Sequence, residues 1–163
     1  MSGITVVSHS AAETRGIGAA LGALLRAGDV VLLAGGLGAG KTELTKGIGA
    51  ALAVDAVIVS PTFTLARRYP GRPPLLHVDL YRLERVQELL DLGLEEEGDD
   101  AVTVIEWGDI ASAHLPGERL EVQVDHVAVG GGSLDHRLIT IAPQGPAWHA
   151  RDADLARVLH GLT

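Results

Sequence analysis

The spacing of apolar residues changes several times along the chain, between short continuous runs that suit a strand and intervals of three and four that suit a helix. Residues 4–7 are a β-branched run. Ser10-Ala11-Ala12-Glu13 is a capping box that opens a helix over residues 11–27, with Ile17, Leu21, Leu24 and Leu25 as its buried face. Gly28 ends that helix by supplying a left-handed C-terminal position. The apolar run 30–34 predicts a strand, and after a glycine-rich octet Leu44, Ile48, Ala51 and Leu52 recur at helical spacing. Residues 57–59 predict one short buried strand. Residues 65–69 and 75–79 predict a β-hairpin around Pro70-Gly71-Arg72-Pro73-Pro74, because proline and glycine cannot continue either ladder.

Beyond the hairpin, residues 84–92 predict a helix with Val86, Leu89 and Leu90 turned inward, followed by an acidic run over 95–100 that reads as a solvated loop. Residues 102–105 predict a buried strand ending at Glu106-Trp107, and residues 109–113 one helical turn. Alternating runs over 120–129 and 134–142 predict a second hairpin around Gly130-Gly131-Gly132-Ser133, and residues 152–162 a closing helix. This order predicts an α/β fold with a mostly parallel central sheet flanked by helices and a C-terminal antiparallel hairpin. There are no internal repeats and no linker long enough to separate two domains, so the expectation is one domain over residues 1–163.

Composition narrows the chemistry. Thirteen Lys and Arg against twenty-one Asp and Glu give a net charge of −8, which opposes autonomous binding to a polyphosphate backbone. The absence of cysteine excludes disulfides, thiolate metal sites and cysteine nucleophiles. No apolar stretch approaches the ~20 residues that span a bilayer, and residues 1–8 lack the pattern of a secretory signal. The expectation is a soluble cytoplasmic protein with no membrane partner.

The octet Gly35-Gly36-Leu37-Gly38-Ala39-Gly40-Lys41-Thr42 matches G-x-x-x-x-G-K-[ST] between a predicted strand and a predicted helix, the context of a P-loop NTPase fold. Four glycines in eight residues let backbone N–H groups turn inward around an anion, and the following helix presents its positive end. In that frame Gly38, Ala39 and Gly40 cradle phosphate, Lys41 reaches the β- and γ-phosphates, and the Thr42 hydroxyl is a magnesium ligand. Hydrolysis also needs carboxylates at the ends of neighbouring strands. Two strands end in one: residues 102–105 in Glu106, which has the Walker B pattern, and residues 75–78 in Asp79. Either suits magnesium and the placement of attacking water. His77 reads as a satisfied strand histidine, and Trp107 as core filling or a lid over the nucleotide. Arg67, Arg68 and Arg82 are the arginine-finger candidates in cis, with a partner as the other source.

These residues carry a resemblance. Gly35 to Thr42, then Ser60-Pro61-Thr62-Phe63-Thr64-Leu65, then His77-Val78-Asp79-Leu80-Tyr81-Arg82-Leu83, then Glu106-Trp107 stand in the order and spacing of the bacterial TsaE family, formerly called YjeE, over nearly the whole chain. The resemblance implies a magnesium-dependent ATPase, with ATP as substrate and ADP as product, that works with TsaB and TsaD to make threonylcarbamoyladenosine in tRNA. It further implies a first switch at residues 60–64, Asp79 in a second, and Glu106 as the magnesium-site glutamate beside Trp107. It makes the Ser8 to Ser10 region, with Ser10, and Arg137 outer nucleotide contacts. Three positions depart from the family's pattern: Gly36 where Asp is usual, Gly108 where Pro is frequent, and Glu43 where a second Thr is usual. An ionised glutamate cannot donate to an α-phosphate as a threonine can, so Glu43 is expected to point away, toward a cation such as Lys46 or Arg67. A small-molecule kinase and a nucleotide-switched interaction module with negligible hydrolysis are the rival readings of the same loop.

Overall fold

The computed structural model describes residues 3–36, 38–59, 66–80, 86–106, 115–128 and 135–162. In chain order the elements are β1 (Ile4–Ser8), α1 (Ala11–Gly22), β2 (Val30–Gly35), α2 (Lys41–Ala51), β3 (Ala66–Tyr69), β4 (Leu75–Asp79), α3 (Val86–Asp91), α4 (Leu94–Glu97), β5 (Val102–Glu106), β6 (Arg119–Ala128), β7 (Asp135–Gln144), α5 (Pro146–His149) and α6 (Asp152–His160). The strands form one seven-stranded sheet in the order β1-β7-β6-β2-β5-β4-β3. Only its centre, β6-β2-β5-β4, is parallel, and antiparallel neighbours close both edges. The expectation of a mostly parallel sheet is therefore corrected: three of six pairings are parallel. Both predicted hairpins are present as β3–β4 and β6–β7.

Strand alternation divides the core. Val31, Leu33, Val102, Val104 and Leu75 face one side, where Ile17, Leu21, Leu44, Ile48, Leu155 and Leu159 of α1, α2 and α6, with Leu52 just past α2, cover them. Leu32, Leu76, Val78 and Ile105 face the other, under Leu92 and Leu94. The same parity sends His77, Asp79 and Glu106 to the side that carries α2. Arg151 anchors the C-terminal helices: its guanidinium lies 3.9 Å over the Trp148 ring, donates to both Asp29 carboxylate oxygens at 3.1 and 2.9 Å, and donates to the Leu24 carbonyl. No helix among the described residues is long and apolar enough to cross a membrane.

Helices α1 and α2 cross closely because glycine allows it. A Cβ on Gly47 would overlap the Arg15 carbonyl, which belongs to backbone and cannot yield. Gly47→Ala is accordingly expected to destabilise the protein by about 2 kcal/mol through overpacking, read as a lower midpoint in urea unfolding.

Five local expectations are corrected. Helix α1 stops at Gly22 rather than residue 27, tightening into the bonds Leu24 N to Leu21 O and Leu25 N to Gly22 O at 3.0 and 3.2 Å. Gly28 has the expected positive φ of 92°, but its N–H donates to Ala101 O at 2.8 Å and serves the turn into β2. Residues 57–59 form no strand: Val57 and Val59 are 77% and 44% exposed, only Ile58 is buried, and the Tyr69 hydroxyl rather than a neighbouring strand takes the Val59 backbone. Leu90 is 57% exposed, the inward residues being Leu92 and Leu94, while the side chains of Val86 and Leu89 lie outside the described set. Within the acidic run, Leu94–Glu97 is a helical turn, although Glu95, Glu96 and Glu97 are exposed as a solvated segment should be.

Candidate functional site

The glycine-rich loop leaves the C-terminal end of β2, at the middle of the sheet, and delivers the chain into α2. Gly35, Gly38 and Gly40 take φ values of 149°, 75° and 113°, which is the physical use of glycine here. A Cβ on Gly35 would also overlap the Val124 carbonyl of β6. Gly40 is the N-cap of α2 and has no side chain with which to cap it, so the positive end of the helix faces the loop's interior. Lys41 is buried and folds back, its Nζ donating to the carbonyls of Gly35 at 2.7 Å and Gly36 at 3.3 Å. Thr42 follows in the first turn, half-buried. Thr45 Oγ1 donates to Lys41 O at 2.9 Å, fixing that turn.

Two carboxylates stand beside the loop. Glu106 pairs in register with Leu33 of β2 on one side and with Asp79 of β4 on the other, so both acids lie at the end of the sheet from which the loop departs. Glu106 is buried and Asp79 half-buried. His77, fully buried, donates from Nε2 to Glu106 Oε1 at 3.1 Å. Arg137 reaches the loop from β7: Nε donates to Ala39 O at 2.7 Å and Nη2 to Gly38 O at 3.3 Å. Ser8 pairs with Arg137 across β1 and β7, which brings the Ser8 to Ser10 segment to the same end of the sheet. The Ser10 hydroxyl accepts from Glu13 N at 3.1 Å and caps α1, as the capping box requires. The returning arm of the box lands one residue early, with Glu13 Oε2 accepting from His9 N at 2.7 Å.

Glu43 points to cations, as its chemistry demands. Arg15 of α1 donates to Oε2 at 2.5 Å and Lys46 to Oε1 at 3.3 Å. Lys46 is one of the two expected partners. Arg67 is not, since it lies 5.2 Å over the Tyr69 ring, and Arg15 came from a packing of α1 on α2 that residue spacing does not reveal. The Arg15 hydrogen bond holds the Glu43 carboxyl below its usual range. This tie therefore adds stability above the ordinary glutamate pKa and loses it as pH falls through the lowered value. Replacing Glu43 with threonine removes a negative charge beside the loop and frees two cations. Glu43→Thr is expected to tighten ADP binding by on the order of 1 kcal/mol, several-fold in a calorimetric titration at fixed magnesium and salt; unchanged or weaker affinity would show that the Arg15–Glu43 tie itself supports the site.

Of the finger candidates, Arg68 is occupied elsewhere: it donates to Asp100 at 2.7 Å and to Glu97 O at 2.8 Å, at the opposite end of β5 from Glu106. Arg82, Trp107, Gly108 and the segment 60–65 lie outside the described residues. The loop with its lysine and helix end suits a polyanion, and the neighbouring carboxylates suit a hard divalent cation.

A family model described as threonylcarbamoyl adenosine biosynthesis protein TsaE matches residues 8–131. The tRNA threonylcarbamoyladenosine biosynthesis protein TsaE of Streptomyces coelicolor is 43% identical over 145 residues, covering 86% of this chain and 97% of that one. Its namesake from Bacillus subtilis is 37% identical over 147 residues, 89% of each chain. The crystal structure of Bacillus subtilis YdiB superposes with a TM-score of 0.77 at 31% identity, over 96% of this chain and 97% of that chain.

Proposed function

The chain belongs to the TsaE family, whose members are named for threonylcarbamoyladenosine biosynthesis in tRNA, and from that premise we propose that it is a single-domain P-loop ATPase that serves this modification in the cytoplasm together with TsaB and TsaD. The observation that carries the reading is the β2–loop–α2 unit with a buried Lys41 against its glycine carbonyls and with Glu106 and Asp79 in register on the adjacent strands.

In the proposed reaction water attacks the γ-phosphate of ATP in line with the departing ADP. Lys41 exchanges the carbonyls of Gly35 and Gly36 for the β- and γ-phosphate oxygens, while the loop's N–H groups and the start of α2 hold the remaining charge. Magnesium would be held by the Thr42 hydroxyl and by Glu106, with Asp79 beside them. All three offer hard oxygen donors, and a site with few protein ligands suits a cation that keeps waters and phosphate oxygens in its shell. Among the described residues no group of three or more His, Asp or Glu forms a closed cage. When bound, the cation neutralises charge on the transferring phosphoryl group. Asp79 accepts a hydrogen bond from the attacking water and orients it. Ser10, Arg137 and Glu43 would border the nucleotide, with Trp107 proposed as a further contact on the family resemblance alone, and Arg137 also steadies the loop through Ala39 and Gly38. With Arg67 over Tyr69 and Arg68 tied to Asp100, a finger supplied by a partner fits the described residues better than those two in cis.

Phosphate release from ATP with no acceptor added, measured alone and with TsaB and TsaD, tests the reading. Slow release that rises with the partners is expected. Turnover that requires a small-molecule acceptor would make the protein a kinase, and binding without turnover under either condition would make it a nucleotide-switched module. The net charge of −8 leads to a further expectation, that the isolated protein does not bind tRNA tightly at physiological salt. Submicromolar affinity with a steep salt dependence in filter binding would contradict it.

A further inference from the structure

We propose that His77 is a positioning residue, which fixes the Glu106 carboxylate in the orientation that receives a magnesium-bound nucleotide. The inference rests on the ATPase reading and deepens it. The position itself argues for a role. Among Leu75, Leu76 and Val78, all buried, an apolar residue would serve packing as well, yet β4 places a fully buried imidazole there. That imidazole is used on one side only: Nε2 donates to Glu106 Oε1 at 3.1 Å, while Nδ1 is buried with no hydrogen-bond partner among the described residues. Leaving a buried polar atom unmet opposes folding, so the contact that favours a histidine at this position is the one Nε2 makes.

Register explains how it reaches. His77 sits opposite Val104 and Asp79 opposite Glu106, so His77 and Glu106 are diagonal neighbours on the face that carries α2. Glu106 is then held twice by the end of the same strand, through its side chain by His77 and through its carbonyl, which accepts from Leu80 N at 3.1 Å. A carboxylate that meets a cation needs such support, and loss of a partner behind a metal ligand typically costs about 10–100-fold in metal affinity. His77 touches neither nucleotide nor water in this scheme; it acts through Glu106.

Two amide replacements separate orientation from burial. Glutamine carries its side-chain nitrogen to the place of Nε2, whereas asparagine ends near Nδ1 and falls short of Glu106. Binding of a fluorescent non-hydrolysable ATP analogue would be measured in magnesium and in EDTA for the wild type, His77→Gln and His77→Asn, with thermal unfolding of each free protein. The wild type and His77→Gln are expected to share the same gain in affinity from magnesium, and His77→Asn to lose about tenfold in magnesium with little change in EDTA. Equal magnesium gains in both variants, or an equal loss in magnesium and EDTA, would overturn the proposal. If His77→Asn does not fold, a folded His77→Gln that has lost the magnesium gain overturns it as well. A wild type that binds the analogue without any gain from magnesium would instead overturn the ATPase reading, and the proposal with it.

Discussion

Lys41→Ala is expected to weaken ATP and ADP binding by on the order of 100-fold, about 3 kcal/mol, the upper range for hydrogen bonds to a charged group. The reason is geometric as well as electrostatic. The ammonium is buried, held against the Gly35 and Gly36 carbonyls, and positioned by a helical turn that Thr45 pins through Lys41 O. It therefore needs only a short movement to trade two neutral carbonyls for phosphate oxygens. Arg137 cannot substitute, because its guanidinium is engaged on the outer carbonyls of Ala39 and Gly38. Calorimetric titration of the variant with ATP and ADP, beside its thermal unfolding curve, is the check. Unchanged affinity would remove Lys41 from the phosphate site.

Glu106→Gln is expected to reduce turnover by on the order of 10²-fold, the scale for removing one preorganised electrostatic partner, and to weaken nucleotide binding in magnesium by at least about tenfold while leaving binding in EDTA unchanged. Glutamine is the informative replacement because its carbonyl can still accept the His77 Nε2–H, which leaves the buried pair satisfied and the fold intact. Alanine would strand that donor and add a stability loss to the kinetic one. The measurement is steady-state phosphate release at saturating ATP across a magnesium series. Equal turnover at saturating magnesium would take Glu106 out of the reaction.

Much of this site could be read from the chain because its parts are local. A strand, a glycine-rich octet with Lys41 and Thr42, and a helix are contiguous, and Asp79 and Glu106 each end their own apolar run. What could not be read depends on register and on helix crossing. His77 gives no sign that it serves Glu106 until β4 and β5 pair, and Arg15 gives no sign that it holds Glu43 until Gly47 lets α1 lie against α2. The β-branched composition of residues 57–59 misled for a related reason: Tyr69, ten residues on, supplies the partners for the Val59 backbone that a strand would have sought in a ladder. The antiparallel pairing of β1 with β7, which brings Ser8 opposite Arg137, joins opposite ends of the chain and is beyond any local pattern.

The most direct test of the central claim is a titration of the isotope-labelled protein with ADP and magnesium, followed by amide NMR spectra. The largest shifts are expected on Gly38, Ala39, Gly40, Lys41 and Thr42, with Asp79 and Glu106 responding only when magnesium is present. Shifts concentrated elsewhere, for instance around the hollow at the other end of the sheet lined by Gly28, Gly98, Asp99 and Glu118, with the loop unmoved, would contradict it.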